Sequence, residues 1–433
     1  MDSQSKLRTA SPGAGKRMKW NGTGRGLKTL AVSLAVGLGM TACSRDYTVG
    51  YLYATSATHT TTGLINAYSI DFQSGALQQL PDSPIPSSGS NPITLVASPN
   101  GKNLYVVNQN TSQVVQFAIG TDGQLYEQKQ HADVVMGASG VTGSIPTAIA
   151  IDPAGKFLYV TFQYQNGFTA AKPGPGGVAV YPLAVDGTIG APVTNTASGT
   201  SLPYTRVGNN PSGIVASPVG GYIYVIDQEP PASASGSPFG VLLAFSVNAS
   251  TGALTPIPGT VSGGFAVGTT PAGIAEDPGG HYLYITDSTT NQLYAFVVQS
   301  GGAPFANLSS PFITGQHPLG VTVDPRAMFV YVVNSASGTI SSYAINSSTG
   351  SLSAVAAASS SQVETSPTCV TIDPALGIYL YTSNNIGNSV SALQLNPHTG
   401  ALVNVQNTPF PAQPLPTCAV AVANGVHAKQ LIN

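Results

Sequence analysis

The sequence predicts an all-β protein: a seven-bladed β-propeller with four antiparallel strands per blade, its ring closed by a C-terminal strand that completes the N-terminal blade. Three observations predict it. A unit recurs along the chain that opens on a proline, at Pro92, Pro146, Pro211, Pro271, Pro318, Pro367 and Pro416. A second proline follows seven residues later in the first six units, at Pro99, Pro153, Pro218, Pro278, Pro325 and Pro374. An aligned tyrosine follows in the next apolar run, at Tyr53, Tyr105, Tyr159, Tyr224, Tyr284, Tyr331 and Tyr381. Self-similarity at a fixed period is the signature of a repeat architecture, and four short strands per unit match a propeller blade.

Within a unit the strands are legible. Ala148-Ile149-Ala150-Ile151 and Lys156-Phe157-Leu158-Tyr159-Val160 are short β runs separated by the turn Asp152-Pro153-Ala154-Gly155. The first unit begins at its second strand, around Tyr51-Leu52-Tyr53, and the last supplies only a first strand, Thr417 to Val422. Joining the two makes one blade and leaves no open sheet edge between first and last. The expected organisation is therefore an export segment over 1–42, a short tether over 43–50, the propeller over 51–424 and a tail over 425–433.

Composition agrees with many short strands joined by turns. The 433 residues include 49 glycines and 33 prolines, 42% are hydrophobic and only 7% are charged. That balance is neither helical nor disordered. Charge is unevenly placed: seven of the 15 Lys and Arg residues precede residue 30, namely Lys6, Arg8, Lys16, Arg17, Lys19, Arg25 and Lys28. From Cys43 onward there are eight basic and 16 acidic side chains, a net of −8, which gives no nucleic-acid footprint.

The basic segment runs into an uncharged stretch, Thr29 to Ala42, which is too short for a stable membrane span and reads as a signal peptide. It ends in Met40-Thr41-Ala42-Cys43, which resembles a lipobox. The expectation is an envelope protein held to the membrane by a lipid on Cys43. Ser44 follows, which favours the outer membrane, with the propeller facing the periplasm or the cell surface. No cofactor or metal is expected, and a monomer is.

The tyrosine column extends to Tyr105-Val106-Val107-Asn108 and Tyr331-Val332-Val333-Asn334. With the Asp-Pro-x-Gly turns, this resembles the YVTN-repeat proteins and the seven-bladed lactonase family, whose founders include 6-phosphogluconolactonase and the muconate-lactonizing enzymes. The resemblance covers nearly all of the chain after the export segment. It implies the fold and, as an expectation, lactone hydrolysis. The motif residues are turn and core residues, so the chemistry must be sought in a site.

In a propeller the loop entering the first strand and the loop leaving the second share one face. Long loops cluster there on neighbouring blades: Phe162 to Gly177, Asp227 to Gly240, His131 to Ile145 and Gly190 to Asn210. Such loops often carry function, and as often are tolerated elaboration. The ligand-binding candidates are Tyr164, Lys172, Tyr204, Arg206, Asp227, Glu229 and Asp287. For acid–base chemistry the candidates are Arg206, Glu229, Glu276 and His317. Two carboxylates two residues apart, as in Asp227 and Glu229, are ordinarily a solvated loop, and a lone histidine at a strand entrance is ordinarily a turn residue. Glu276 stands where other units carry Ala97, Ile151, Ala216, Val323, Ile372 and Ala421, so it is paired, functional or, on the plainest reading, solvated at the channel.

The column after the opening prolines reads Thr94, Ala148, Gly213, Gly273, Gly320, Cys369 and Cys418. It holds small residues suited to tight packing and no histidine. A phosphorylated lactone would want several cations, and only Arg206 and Lys172 are offered. These points favour a platform that binds protein, glycan or a small ligand through blades 2 to 4, with a lactonase as the alternative. An oxidising compartment would permit a Cys369–Cys418 disulfide. First strands of neighbouring blades usually stand beyond the ~7 Å Cα limit for one, so two buried thiols are expected.

Overall fold

The computed structural model describes residues 47–425 apart from 59–61, 135–144, 166, 170, 173, 198–199, 230–238, 260–263, 308 and 356–359. The export segment, Cys43 and the tail beyond Gly425 lie outside the described residues. Seven antiparallel sheets are arranged as a ring. Their innermost strands start on the seven opening prolines: Pro92–Ala97, Pro146–Ile151, Pro211–Ala216, Pro271–Glu276, Pro318–Val323, Pro367–Ile372 and Pro416–Ala423. Each touches the next in cyclic order around the axis. We number the blades so that blade 2 opens on Pro92 and blade 7 on Pro367.

Blade 1 is built from both ends of the chain. Its inner strand, Pro416–Ala423, lies antiparallel to Thr48–Ser56, with Tyr53 opposite Val420 and Leu52 opposite Ala421. Asn424 then donates its backbone N–H to Val49 O at 3.0 Å and its side-chain amide to Thr48 O at 3.0 Å.

The second strands explain the apolar runs. Asn103–Asn108 and Phe329–Asn334 are buried at every position. Both faces of a blade are covered by neighbouring blades, so alternation gives way to continuous apolar sequence. Outside blade 2, whose fourth strand runs over Leu125–Asp133, the fourth strands are short edges, with Leu77–Gln79 burying only its first residue.

The tyrosine column has a specific task. In six of the seven blades the hydroxyl donates to the carbonyl of a turn glycine in the next blade. Tyr53 reaches Gly123 O at 2.7 Å, Tyr105 Gly187 O at 2.7 Å, Tyr224 Gly302 O at 3.1 Å and Tyr284 Gly350 O at 3.1 Å. Tyr331 reaches Gly400 O at 3.1 Å, and Tyr381 reaches Gly75 O at 2.9 Å. Six of the seven blade junctions are thus clasped by buried hydrogen bonds.

One expectation is corrected here. Cys369 and Cys418 form a disulfide, with their Cα atoms 4.9 Å apart. The reason lies in the small-residue column itself. A Cβ on Gly320 would meet Cys369 Cα at 3.1 Å, and one on Gly273 would overlap the Leu319 carbonyl oxygen. Small residues in this column let the inner strands of blades 5, 6 and 7 approach closely, and the same close approach between blades 7 and 1 brings Cys369 and Cys418 within bonding reach.

Candidate functional site

The loop face is organised from the backbone outward. In every blade the residue after the second strand donates its N–H to the residue before the opening proline. Gln109 donates to Asn91 O at 2.9 Å, Gln228 to Asn210 O at 3.0 Å, Ser335 to His317 O at 2.9 Å, and so on around the ring. The last residue of the second strand supports this seam. It is Asn108, Asp227, Asp287, Asn334 or Asn384 in five blades, buried in each. Asp287 accepts N–H groups from Thr269, Thr270, Thr289 and Thr290. Burial pushes its carboxyl up, the N–H groups of Thr290, Thr270 and Thr269 outweigh that, and its pKa lies below the ordinary value.

Asp227 is held less completely. Its Oδ1 accepts from Asn210 N at 3.1 Å and Glu229 N at 2.9 Å. Its Oδ2 is buried without a hydrogen-bond partner among the described residues. Burial raises the pKa to about 7, against the pull of the Glu229 and Asn210 N–H groups and with a smaller push from the Glu229 charge.

An amide bridge that sequence reasoning missed joins blades 3, 4 and 5. Gln163 donates to Asn210 Oδ1 at 2.7 Å, Asn210 donates to Gln228 Oε1 at 2.8 Å, and Gln228 donates to Pro271 O at 3.1 Å. Gln109 donates likewise from blade 2 to Pro146 O at 3.1 Å. The signal was available: the position after the second strand is glutamine in blades 2, 3 and 4, and serine in blades 5 and 6, at Ser288 and Ser335.

The other candidates divide by exposure. Tyr204 is buried at 4% exposure and meets the Phe162 ring edge-on, centroids 5.3 Å apart. Tyr204, Asp227 and Asp287 therefore form the wall of the site rather than its surface. Lys172, Arg206 and Glu229 are exposed and Tyr164 half-buried. Lys172 Nζ lies 5.9 Å from the Phe168 ring centroid. Arg206 is placed by the pairing of Thr205–Arg206 with Gly177 and Val178, on the outer side of blade 3. His317 is exposed, and its backbone N–H is held by Asn291 Oδ1 at 2.7 Å.

Glu276 is not with them. It ends its strand and sits at the turn face, five residues or roughly 16 Å along the strand from Pro271 at the loop face. Nor is it solvated at the channel: it is 8% exposed between blades 4 and 5. Its Oε1 accepts the Ser217 hydroxyl at 3.0 Å, and its Oε2 is buried without a partner among the described residues. Burial raises its pKa to about 8, opposed by the Ser217 hydrogen bond and aided by the Asp277 charge. Blade 4 carries Ser217 where blades 3, 5, 6 and 7 carry Asp152, Asp277, Asp324 and Asp373. That serine gives the glutamate a donor where a carboxylate would repel it.

The four acid–base candidates thus occupy different blades and two faces. Among the described residues no group of three His, Cys, Asp or Glu side chains converges as a metal site would. The sequence profile of the family described as Lactonase, 7-bladed beta-propeller, matches residues 51–228 and 241–372. The chain belongs to this family.

Solved structures agree with the family fold. The periplasmic gluconolactonase PpgL of Pseudomonas aeruginosa is 19% identical, with a TM-score of 0.62 over 87% of this chain and 99% of its own. The "putative 6-phosphogluconolactonase" of Bacteroides fragilis is 17% identical, with a TM-score of 0.64 over 88% and 99%. That of Bacteroides uniformis is 19% identical, with a TM-score of 0.64 over 87% and 100%. No curated protein sequence matches the chain. At these identities the likeness shows the fold alone, so the chemistry of this lactonase-family propeller rests on its own residues.

Proposed function

We propose that this lactonase-family propeller is an exported, lipid-anchored binding platform whose ligand, a protein, glycan or small molecule, meets the loop-rich face of blades 2 to 4. One observation carries the reading. On that face the half-buried amides of Gln163, Asn210 and Gln228 and the Oδ1 of Asp227 are committed to holding loops, while among the described residues the exposed Lys172, Arg206 and Glu229 form no ion pair or acid–base cluster. Such a rim can recognise a ligand, whereas general acid–base catalysis needs groups within hydrogen-bond reach of one reacting centre. The chain enters the propeller at Thr48, on the turn face.

Lactone hydrolysis is the second reading, favoured by the family and by the names of the structural relatives. One experiment separates the two. The soluble propeller is assayed on glucono-δ-lactone and 6-phosphoglucono-δ-lactone against spontaneous hydrolysis, beside Arg206→Ala and Glu229→Gln. Turnover that falls in these variants establishes the lactonase and ends the platform reading. Rates equal to the spontaneous reaction end the lactonase reading. Metabolic labelling with a radiolabelled fatty acid tests the anchor: label is expected on the wild-type chain and absent from Cys43→Ser.

A further inference from the structure

A hollow opens on the loop face between the outer parts of blades 5 and 6, away from the blade 2 to 4 rim. Its volume is about 500 Å³, and its lining includes Thr314, Gln316, Ser337, Thr339, Ser341 and Tyr343. That volume lies within the ~300–1,000 Å³ of small-molecule sites. Among the described residues the lining contains no charged side chain.

The hydroxyls are held in fixed directions. Asn334, wholly buried, donates one amide hydrogen to Thr339 Oγ1 at 3.0 Å and the other to Ser341 Oγ at 2.9 Å. Its Oδ1 is anchored by the Gly315 N–H at 3.1 Å. Ser337 Oγ accepts the Gln316 N–H at 3.1 Å and shares a hydrogen bond with Thr339 Oγ1 at 3.1 Å. A hydroxyl has one proton. Ser337 and Thr339 therefore use one of their two protons on each other and keep the second for a further acceptor. The exposed Gln316 adds an amide at the rim. Tyr343 directs its own hydroxyl to Ile313 O at 2.6 Å and turns its ring, with Ile313 and Ala354, into an apolar side of the hollow.

A charged ligand here would lose hydration without gaining a counter-charge, and an apolar one would strand the hydroxyls. The geometry points to a neutral, polyhydroxylated ligand: a saccharide unit that bonds Ser337, Thr339 and Gln316 and lays an apolar face toward Tyr343 and Ile313. This site is independent of the blade 2 to 4 rim.

Saturation-transfer NMR on the whole soluble propeller tests it, with cellobiose, maltose and N,N′-diacetylchitobiose as probes and gluconate as the charged counterpart. Transfer from a neutral disaccharide is expected. Affinity should fall about fivefold in Thr339→Val and in Gln316→Ala, as for one lost hydrogen bond. Gln316 is exposed, so its variant reads the site even if the buried substitution disturbs folding. Binding should persist in Arg206→Ala. Absence of transfer from all three disaccharides overturns the site, as do unchanged affinities in both variants or gluconate binding equal to that of the sugars. Binding lost in Arg206→Ala and kept in Gln316→Ala overturns it too, while supporting the rim as the ligand face.

Discussion

The tyrosine hydroxyl is the residue-scale unit of this ring. Tyr284→Phe keeps the packing but strands the buried Gly350 carbonyl, which should cost about 1–2 kcal/mol. The urea midpoint should fall with the slope unchanged. The column was legible in the sequence, but its chemistry was not. In five blades the accepting glycine lies 66 to 82 residues away, a distance at which no local pattern names a partner. Glu276 shows the converse. Its break from an apolar column marked it as exceptional, and its partner, Ser217, was visible only once blades 4 and 5 were set side by side. Both Asp227 and Glu276 hold a proton more tightly when folded, at about 7 and about 8, than they would unfolded. The native state therefore binds more protons than the unfolded one between pH ~4 and ~8, and stability falls as pH rises through that window. A melting temperature lower at pH 8.5 than at pH 5 is expected, with the difference reduced in Glu276→Gln and in Asp227→Asn. Asparagine already serves at the position of Asp227 in blades 2, 6 and 7.

Among the elements, the inner strands depart most from expectation. General blade spacing argued against a Cys369–Cys418 bond, while the same column of small residues held the opposing argument, close approach. The disulfide encloses 49 residues of separation, essentially all of blade 7, and fastens the closing strand to that blade. Removing both sulfurs, as Cys369→Ala with Cys418→Ala, should destabilise by about 2–4 kcal/mol, read as a lower melting temperature. The turns offer a second, graded test. Gly350 has φ +69° and lies against the Tyr282 ring, whereas Gly301 has φ +91° and open space. Alanine at 301 meets only the left-handed backbone penalty of about 1–2 kcal/mol. Alanine at 350 meets that penalty and a ring that must move, so Gly350→Ala should melt well below Gly301→Ala.

At the scale of the whole molecule, the blade number, the opening strands and the closure by both chain ends were all legible, because a propeller repeats its grammar seven times. The site was less so. The amide bridge from Gln163 to Gln228 crosses blades, and the hollow between blades 5 and 6 is assembled from ordinary serines and threonines that no motif marks. Closure has a direct test. A chain ending at residue 415 lacks the inner strand of blade 1 and exposes the edge of Thr48–Ser56. It should elute as aggregates in gel filtration and lose its cooperative melt. The contact between Asn424 and Thr48 has another reading. With the first and last strands of the propeller side by side, its ring of blades does not distinguish a first from a last. The fold is indifferent to where translation begins, and a chain joined across Asn424 and Thr48 and reopened at Gly301 would find every one of the same neighbours.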